Sequence, residues 1–248
     1  AGTLALLAAV EQAQSRSMPL VVPMLPVRPP RMIGRARELA ALHVAAASGL
    51  HALVLGEGGM GKSRLLAEFA ATTPSASPLV QVGARPGDAD RPYALLARLV
   101  RALRERGQEP AAELRPEFAR FVAELGEPAS TRFDAGRFEH AVERWLLALP
   151  AAPLAIDDLH FADGASLDLL ARLVAVPGLP PLLLGMRPAE GAAGAAPLLL
   201  ALAELPRSER IELAPLVEAE IAELVDSLAL PPLAGAALAA PLARHTGG

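Results

Sequence analysis

The octet Gly56-Glu57-Gly58-Gly59-Met60-Gly61-Lys62-Ser63 fits the spacing G-x-x-x-x-G-K-[ST]. Its glycines free the backbone to wrap until successive N–H groups point inward at an anion. Lys62 adds a mobile point charge suited to β- and γ-phosphates, and the Ser63 hydroxyl suits a Mg²⁺ ion. The chain holds 23 Lys plus Arg, and Lys62 is its one lysine. A sequence that otherwise uses arginine keeps here a compact ammonium in place of a planar fork. The octet with Arg64 is therefore a candidate phosphate-binding loop: Gly56, Glu57, Gly58, Gly59, Met60, Gly61, Lys62, Ser63 and Arg64.

A second chemical element is Leu154-Ala155-Ile156-Asp157-Asp158, an apolar run ending in paired acids. Behind a phosphate loop this reads as the Walker B arrangement. Asp157 would hold Mg²⁺ and Asp158 would orient or deprotonate an attacking water. Arg187 closes the run Leu182–Met186 and reads either as a sensor of the γ-phosphate or as a surface arginine before a proline turn. Asp163 reads first as the N-cap of a helix over 165–176. His160 stands beside the acid pair without a second His or Cys at ligand spacing. Tyr93 and Trp145 read as packing residues.

These residues need elements to position them. His51–Leu55 reads as a buried strand entering the loop, and Lys62–Ala70 as a helix leaving it with Leu65, Leu66 and Phe69 on one face. That helix would turn its positive end to the phosphates. Further strands are predicted at 79–83, 153–157, 181–186 and 209–213. Helices are predicted from about 34 to 48, around 92–106, 111–125 and 136–149, and over 194–205, 216–229 and 232–244. Strands alternating with helices give an α/β P-loop three-layer sandwich, a parallel five-stranded sheet with helices on both faces.

The totals bound the rest. The 248 residues are 52% hydrophobic and 3% aromatic, an aliphatic core. A net charge of −4 provides no basic field, so no direct nucleic-acid contact is expected. The absence of cysteine removes disulfides and thiolate metal sites and fits a reducing, cytoplasmic setting. No stretch reads as a membrane span or signal peptide. Residues 2–14 could form a short amphipathic helix, and Met18–Pro30 carries five prolines in thirteen residues. Residues 1–30 thus read as the tail of an upstream domain plus a tether. Residues 31–248 read as the nucleotide-binding domain, with a helical part from about 216. The missing initiator methionine suggests a piece of a longer chain.

Taken together these residues resemble the signalling STAND ATPases and the related origin-recognition-type AAA ATPases. The resemblance rests on Met32-Ile33-Gly34-Arg35 with Glu38 and Leu39, on Gly56–Ser63, and on Asp157-Asp158-Leu-His160-Phe-Ala-Asp163. It extends to Leu183-Leu-Gly-Met-Arg187-Pro188, Arg210–Leu216 and His245–Gly248. Phe161 departs from the tryptophan of many relatives. The resemblance implies ATP as ligand, with the base lying against Ile33, Gly34 and Arg35, and Mg²⁺ as its metal. It also implies a switch within large bacterial regulators, often transcription factors, that works with other domains of its chain and can form homo-oligomers.

Three functions follow: a slowly hydrolysing regulatory ATPase, a motor or phosphotransferase, and an inert nucleotide-bound scaffold. A phosphotransferase would draw on Arg85, Arg91, Arg98, Arg101 and Arg104. The helical spacing of the last three suggests a solvated face instead.

Overall fold

The computed structural model describes residues 31–73, 79–128, 130–188, 192–206, 208–228 and 234–246. The expected N-terminal helix and tether, and the last two residues, lie outside the described residues. In chain order the elements are α1 (Ala36–Ala47), β1 (Ala52–Leu55), α2 (Lys62–Thr72), β2 (Val80–Gly83) and α3 (Ala94–Glu105). Then come α4 (Arg115–Phe118), α5 (Ala135–Leu147), β3 (Leu154–Asp157) and α6 (Gly164–Leu173). Next are β4 (Leu182–Met186), α7 (Ala192–Glu204), β5 (Glu209–Glu212), α8 (Glu218–Ser227) and α9 (Gly235–Thr246). Short 3₁₀ turns cover Ala123–Leu125 and Leu159–Phe161.

The five strands form one parallel sheet in the order β2-β3-β4-β1-β5. The three inner strands are buried on both faces, as their unbroken apolar runs require. The edge strands alternate, which is why Gln81, Arg210 and Glu212 are tolerated there. Alternation along each strand divides the core between the two faces. Ala52, Val54, Ala155 and Leu183 meet Leu42 of α1 and Leu65, Leu66 and Phe69 of α2. Leu53, Val82, Ile156, Leu182 and Leu184 meet the opposite layer, built from α3, α5, α6 and α7.

That second layer holds most of the aromatic residues. Tyr93, Phe118, Phe121, Phe133, Phe138 and Trp145 pack edge to face or tilted, with ring centroids 4.7–6.0 Å apart. The packing roles expected for Tyr93 and Trp145 are met there. This cluster also corrects one expectation, the helix over 111–125. It is reduced to α4 and a 3₁₀ turn. Pro116 can sit only in a first turn, and Val122 leaves the helical region (φ −135°, ψ 84°), with both it and Phe118 buried in the core. The Phe121 carbonyl accepts from the Arg101 guanidinium at 2.5 Å in place of a helical partner.

At the other end of the sheet His51 is buried. Its Nδ1 accepts the Leu182 N–H at 3.0 Å. Burial pushes the imidazole below its usual pKa, opposed by a hydrogen bond to the Val174 backbone. No helix among the described residues is long and apolar enough to cross a membrane.

Candidate functional site

The C-terminal ends of β1, β3 and β4 open on one edge, and each delivers a residue singled out from the sequence. Gly56 follows β1, Asp157 ends β3 with Asp158 after it, and Arg187 follows β4. Parallel strands bring such ends together whatever their separation in sequence.

The phosphate loop turns on Gly59 (φ +86°) and Gly61 (φ +89°), left-handed conformations that favour glycine. Gly61 is the N-cap of α2, so the free N–H groups of that helix face the loop. Lys62 is buried and its Nζ donates to the Gly56 carbonyl at 2.7 Å and the Glu57 carbonyl at 3.0 Å. Desolvation lowers its pKa. Asp157, Asp158 and Glu57 oppose that shift, and Arg187 reinforces it. The ammonium therefore feels Asp157, Asp158, Glu57 and Arg187 at once. Ser63, next on α2, is exposed toward solvent. Arg64 is held by Glu68 at 3.1 Å.

Asp157 is buried, and its Oδ1 accepts the Asp158 N–H at 2.8 Å. A Cβ on Gly185 would collide with that carboxylate, so β4 needs its glycine where Asp157 crosses it. Asp158 adopts a left-handed conformation, φ 54° and ψ 37°, which acidic and amide residues tolerate. Its side chain is 37% exposed, with His160 Nε2 at 3.9 Å. Among the described residues no cluster of three or more His, Cys, Asp or Glu could hold a metal. The donors present, one hydroxyl and one or two carboxylates beside a phosphate loop, fit Mg²⁺, which binds through few protein ligands plus phosphates.

Arg187 lies over the loop. A Cβ on Gly58 would come within 3.3 Å of its Cζ, and that Cζ is 6.0 Å from the Phe161 ring. Phe161, the departure noted in the sequence, is thus a neighbour of the arginine.

Beside the loop a cleft of about 160 Å³ is lined by Met32, Ile33, Met60, Leu216 and Leu224, together with Arg31, Arg35 and Arg64. Its apolar walls suit a flat ring. Arg35 is buried and donates to the Ala214 carbonyl at 2.6 Å and to the Met60 carbonyl at 3.5 Å. Gly34 has φ +70°, and a Cβ there would fall 2.5 Å from Glu220 Oε1 of α8. The cleft is closed where residues 31–35 meet residues 216–224. Sequence reading missed Leu224 and Glu220 here, because neither carries a local motif.

It also understated Asp163. This carboxylate is 1% exposed and accepts the Ser166 N–H (2.8 Å) and hydroxyl (2.7 Å), the cap expected of it. It also accepts the Tyr93 N–H at 2.7 Å and the Leu95 N–H at 3.3 Å. One side chain caps both α6 and α3, and it holds Tyr93 at the left-handed φ of 62°.

An AAA ATPase domain family matches residues 31–184 of the chain. No curated protein sequence matches it. Solved structures that it resembles include a Walker-type ATPase of Pyrococcus abyssi (16% identity, TM-score 0.47, 82% of this chain and 60% of that one). A STAND protein with a tetratricopeptide repeat sensor from Pyrococcus horikoshii gives 15% identity and a TM-score of 0.48, over 91% of this chain and 30% of that one. The ORC2 protein of Aeropyrum pernix, solved as ADPNP–ADP complexes, gives 13% and 0.47, over 81% and 52%. The chain thus spans 60% and 30% of the length of the first two.

Proposed function

Because the chain belongs to the AAA ATPase domain family, we propose that it is a regulatory module that binds ATP and hydrolyses it slowly. What carries the reading is the convergence of Lys62, Asp157, Asp158 and Arg187 on one edge of the sheet, each charge felt by the buried lysine. The loop from Gly56 to Ser63 would take the phosphates on its N–H groups, with Arg64 beside it, and Lys62 would exchange its two carbonyl acceptors for phosphate oxygens. The base would enter the cleft along Ile33, Gly34 and Arg35. Ser63 and Asp157 would hold Mg²⁺, which supplies neutralisation of charge on the phosphate oxygens. Asp158 would orient the attacking water and accept its proton, and Arg187 would sense the γ-phosphate.

The motif resemblance supports a place within a larger cytoplasmic regulator, a transcriptional one in our reading. In it residues 1–30 tether an upstream domain, and the helical part from about 216 passes the nucleotide state to partner domains or to further copies. The contact of Glu220 with Gly34 supports this, since α8 touches the strip where the base would lie.

ATP–Mg²⁺ at about a hundredfold excess over Kd should stabilise the fold by roughly 2.7 kcal/mol. For this size that is a rise in melting temperature of roughly 5–10 °C. A thermal scan unchanged by millimolar ATP or ADP would remove the nucleotide from the account.

A further inference from the structure

On the β2 side of the sheet, outside the nucleotide site, a cleft of about 440 Å³ lies between α3 and the Phe121 segment. Four arginines line it, Arg91, Arg98, Arg101 and Arg120, against two acids, Asp88 and Asp90. Asp88 is buried and taken up by Arg98 in a bidentate pair at 2.9 and 3.0 Å, which also lowers the Asp88 pKa. Asp90 alone then faces three guanidinium groups.

Two of those groups are held still without being neutralised. Arg101 donates to the Phe121 carbonyl at 2.5 Å, and Arg120 to the Thr131 carbonyl at 2.6 Å and the Ser130 carbonyl at 3.4 Å. Several other arginines meet carboxylates, as in Arg64–Glu68, Arg137–Glu117 and Arg172–Glu139. A carbonyl fixes the fork but leaves its charge and its other N–H donors for a ligand. The chain carries a net charge of −4, yet this cleft sets three guanidinium groups against Asp90. The volume is that of a small-molecule site. Arg98 also donates to the Gly83 carbonyl at 2.7 Å, and Gly83 pairs in register with Asp157. The cleft therefore sits one strand away from the Walker B acids.

We propose that this cleft binds a small molecule carrying two or more carboxylate or phosphate groups, taken by Arg91, Arg101 and Arg120 with Arg98 as its fixed back wall. It is a second ligand site, separate from the phosphate loop.

The test is calorimetry at low ionic strength with propane-1,2,3-tricarboxylate and, separately, inorganic phosphate as probes. The proteins are wild type, Lys62→Ala, Arg91→Gln and the pair Arg101→Gln with Arg120→Gln. The tricarboxylate is expected to bind at one site with a Kd below about 1 mM. Binding should persist in Lys62→Ala, which cripples the phosphate loop instead. It should weaken about fivefold in Arg91→Gln, the order of one charge-assisted contact at an exposed site, and vanish in the pair. The Arg91 side chain supports nothing in the fold, so that variant decides the matter should the pair not fold. Phosphate binding more weakly at the same site would fit the proposal. No tricarboxylate binding at about 10 mM, loss of binding with Lys62→Ala, or equal affinity in the arginine variants would overturn it. So would a short DNA duplex that competes at micromolar concentration, which would make the arginines a nucleic-acid surface.

Discussion

Asp158 and Asp163 stand five residues apart on the same edge of the sheet, and their surroundings are opposite. Asp163 is sealed from solvent and receives four donors, from Tyr93, Leu95 and Ser166. Asp158 opens to the site with its side chain 37% exposed and His160 Nε2 no closer than 3.9 Å. A carboxylate whose lone pairs are all occupied can only hold structure. One that keeps them free at the mouth of a phosphate loop can accept a proton or orient a water. In our proposal the first serves architecture and the second chemistry, although the sequence presents both in a single short motif.

The largest effect should come from breaking the satisfied acid. Asp163→Ala strands buried N–H groups at the starts of two helices, each costing about 1–3 kcal/mol. A loss of about 3 kcal/mol, or roughly 6–12 °C in melting temperature, is expected. Asp158→Asn should change melting by less than about 0.5 kcal/mol. Equal melting of the two variants would erase the contrast.

How much of this was open to sequence reading follows the same line. The P-loop, the acid pair and all five strands announce themselves locally, by spacing or by apolar runs. The fold class followed from their alternation. What could not be read was made by distant partners. The second cap of Asp163 links it to Tyr93, 70 positions away. The wall of the cleft beside the loop comes from Leu216 and Leu224 together with Met32 and Ile33. The helix expected over 111–125 gave way because an aromatic cluster needed Phe118 and Val122 on the same side. Of Arg98, Arg101 and Arg104, expected on a solvated face, Arg98 instead turns in to the buried Asp88, while Arg104 pairs with Glu109 in an exposed contact.

A smaller effect sharpens the chemical side of the contrast. Lys62→Arg keeps the charge but puts a planar fork where a compact ammonium now meets two carbonyls at 2.7 and 3.0 Å. ATP affinity should fall at least about tenfold, or 1.4 kcal/mol. Unchanged affinity by calorimetry would mean that charge alone matters there.

The smallest effect concerns His51, another buried and hydrogen-bonded group, at the far end of the sheet. Its folded pKa lies below the ordinary 6.5 because burial opposes the charge. The unfolded chain therefore binds the proton more readily, and stability is lost as pH falls below about 6.5. The slope is at most about 1.4 kcal/mol per pH unit for one proton. Above that pH the contribution is constant. Melting of wild type relative to His51→Asn between pH 7.5 and 5 should show the wild type losing ground only on the acid side. A constant difference would remove His51 as the cause.

The central claim is that Asp158 is the free, water-orienting acid of this site. Single-turnover hydrolysis of ATP, measured beside ATP–Mg²⁺ binding for wild type and Asp158→Asn, tests it most directly. The substitution keeps the left-handed backbone within reach and leaves Lys62, Ser63 and Asp157 in place. Binding should stay within about twofold while hydrolysis falls about a hundredfold, the worth of a positioned general base. Hydrolysis by Asp158→Asn at the wild-type rate, with ATP bound, would contradict the account.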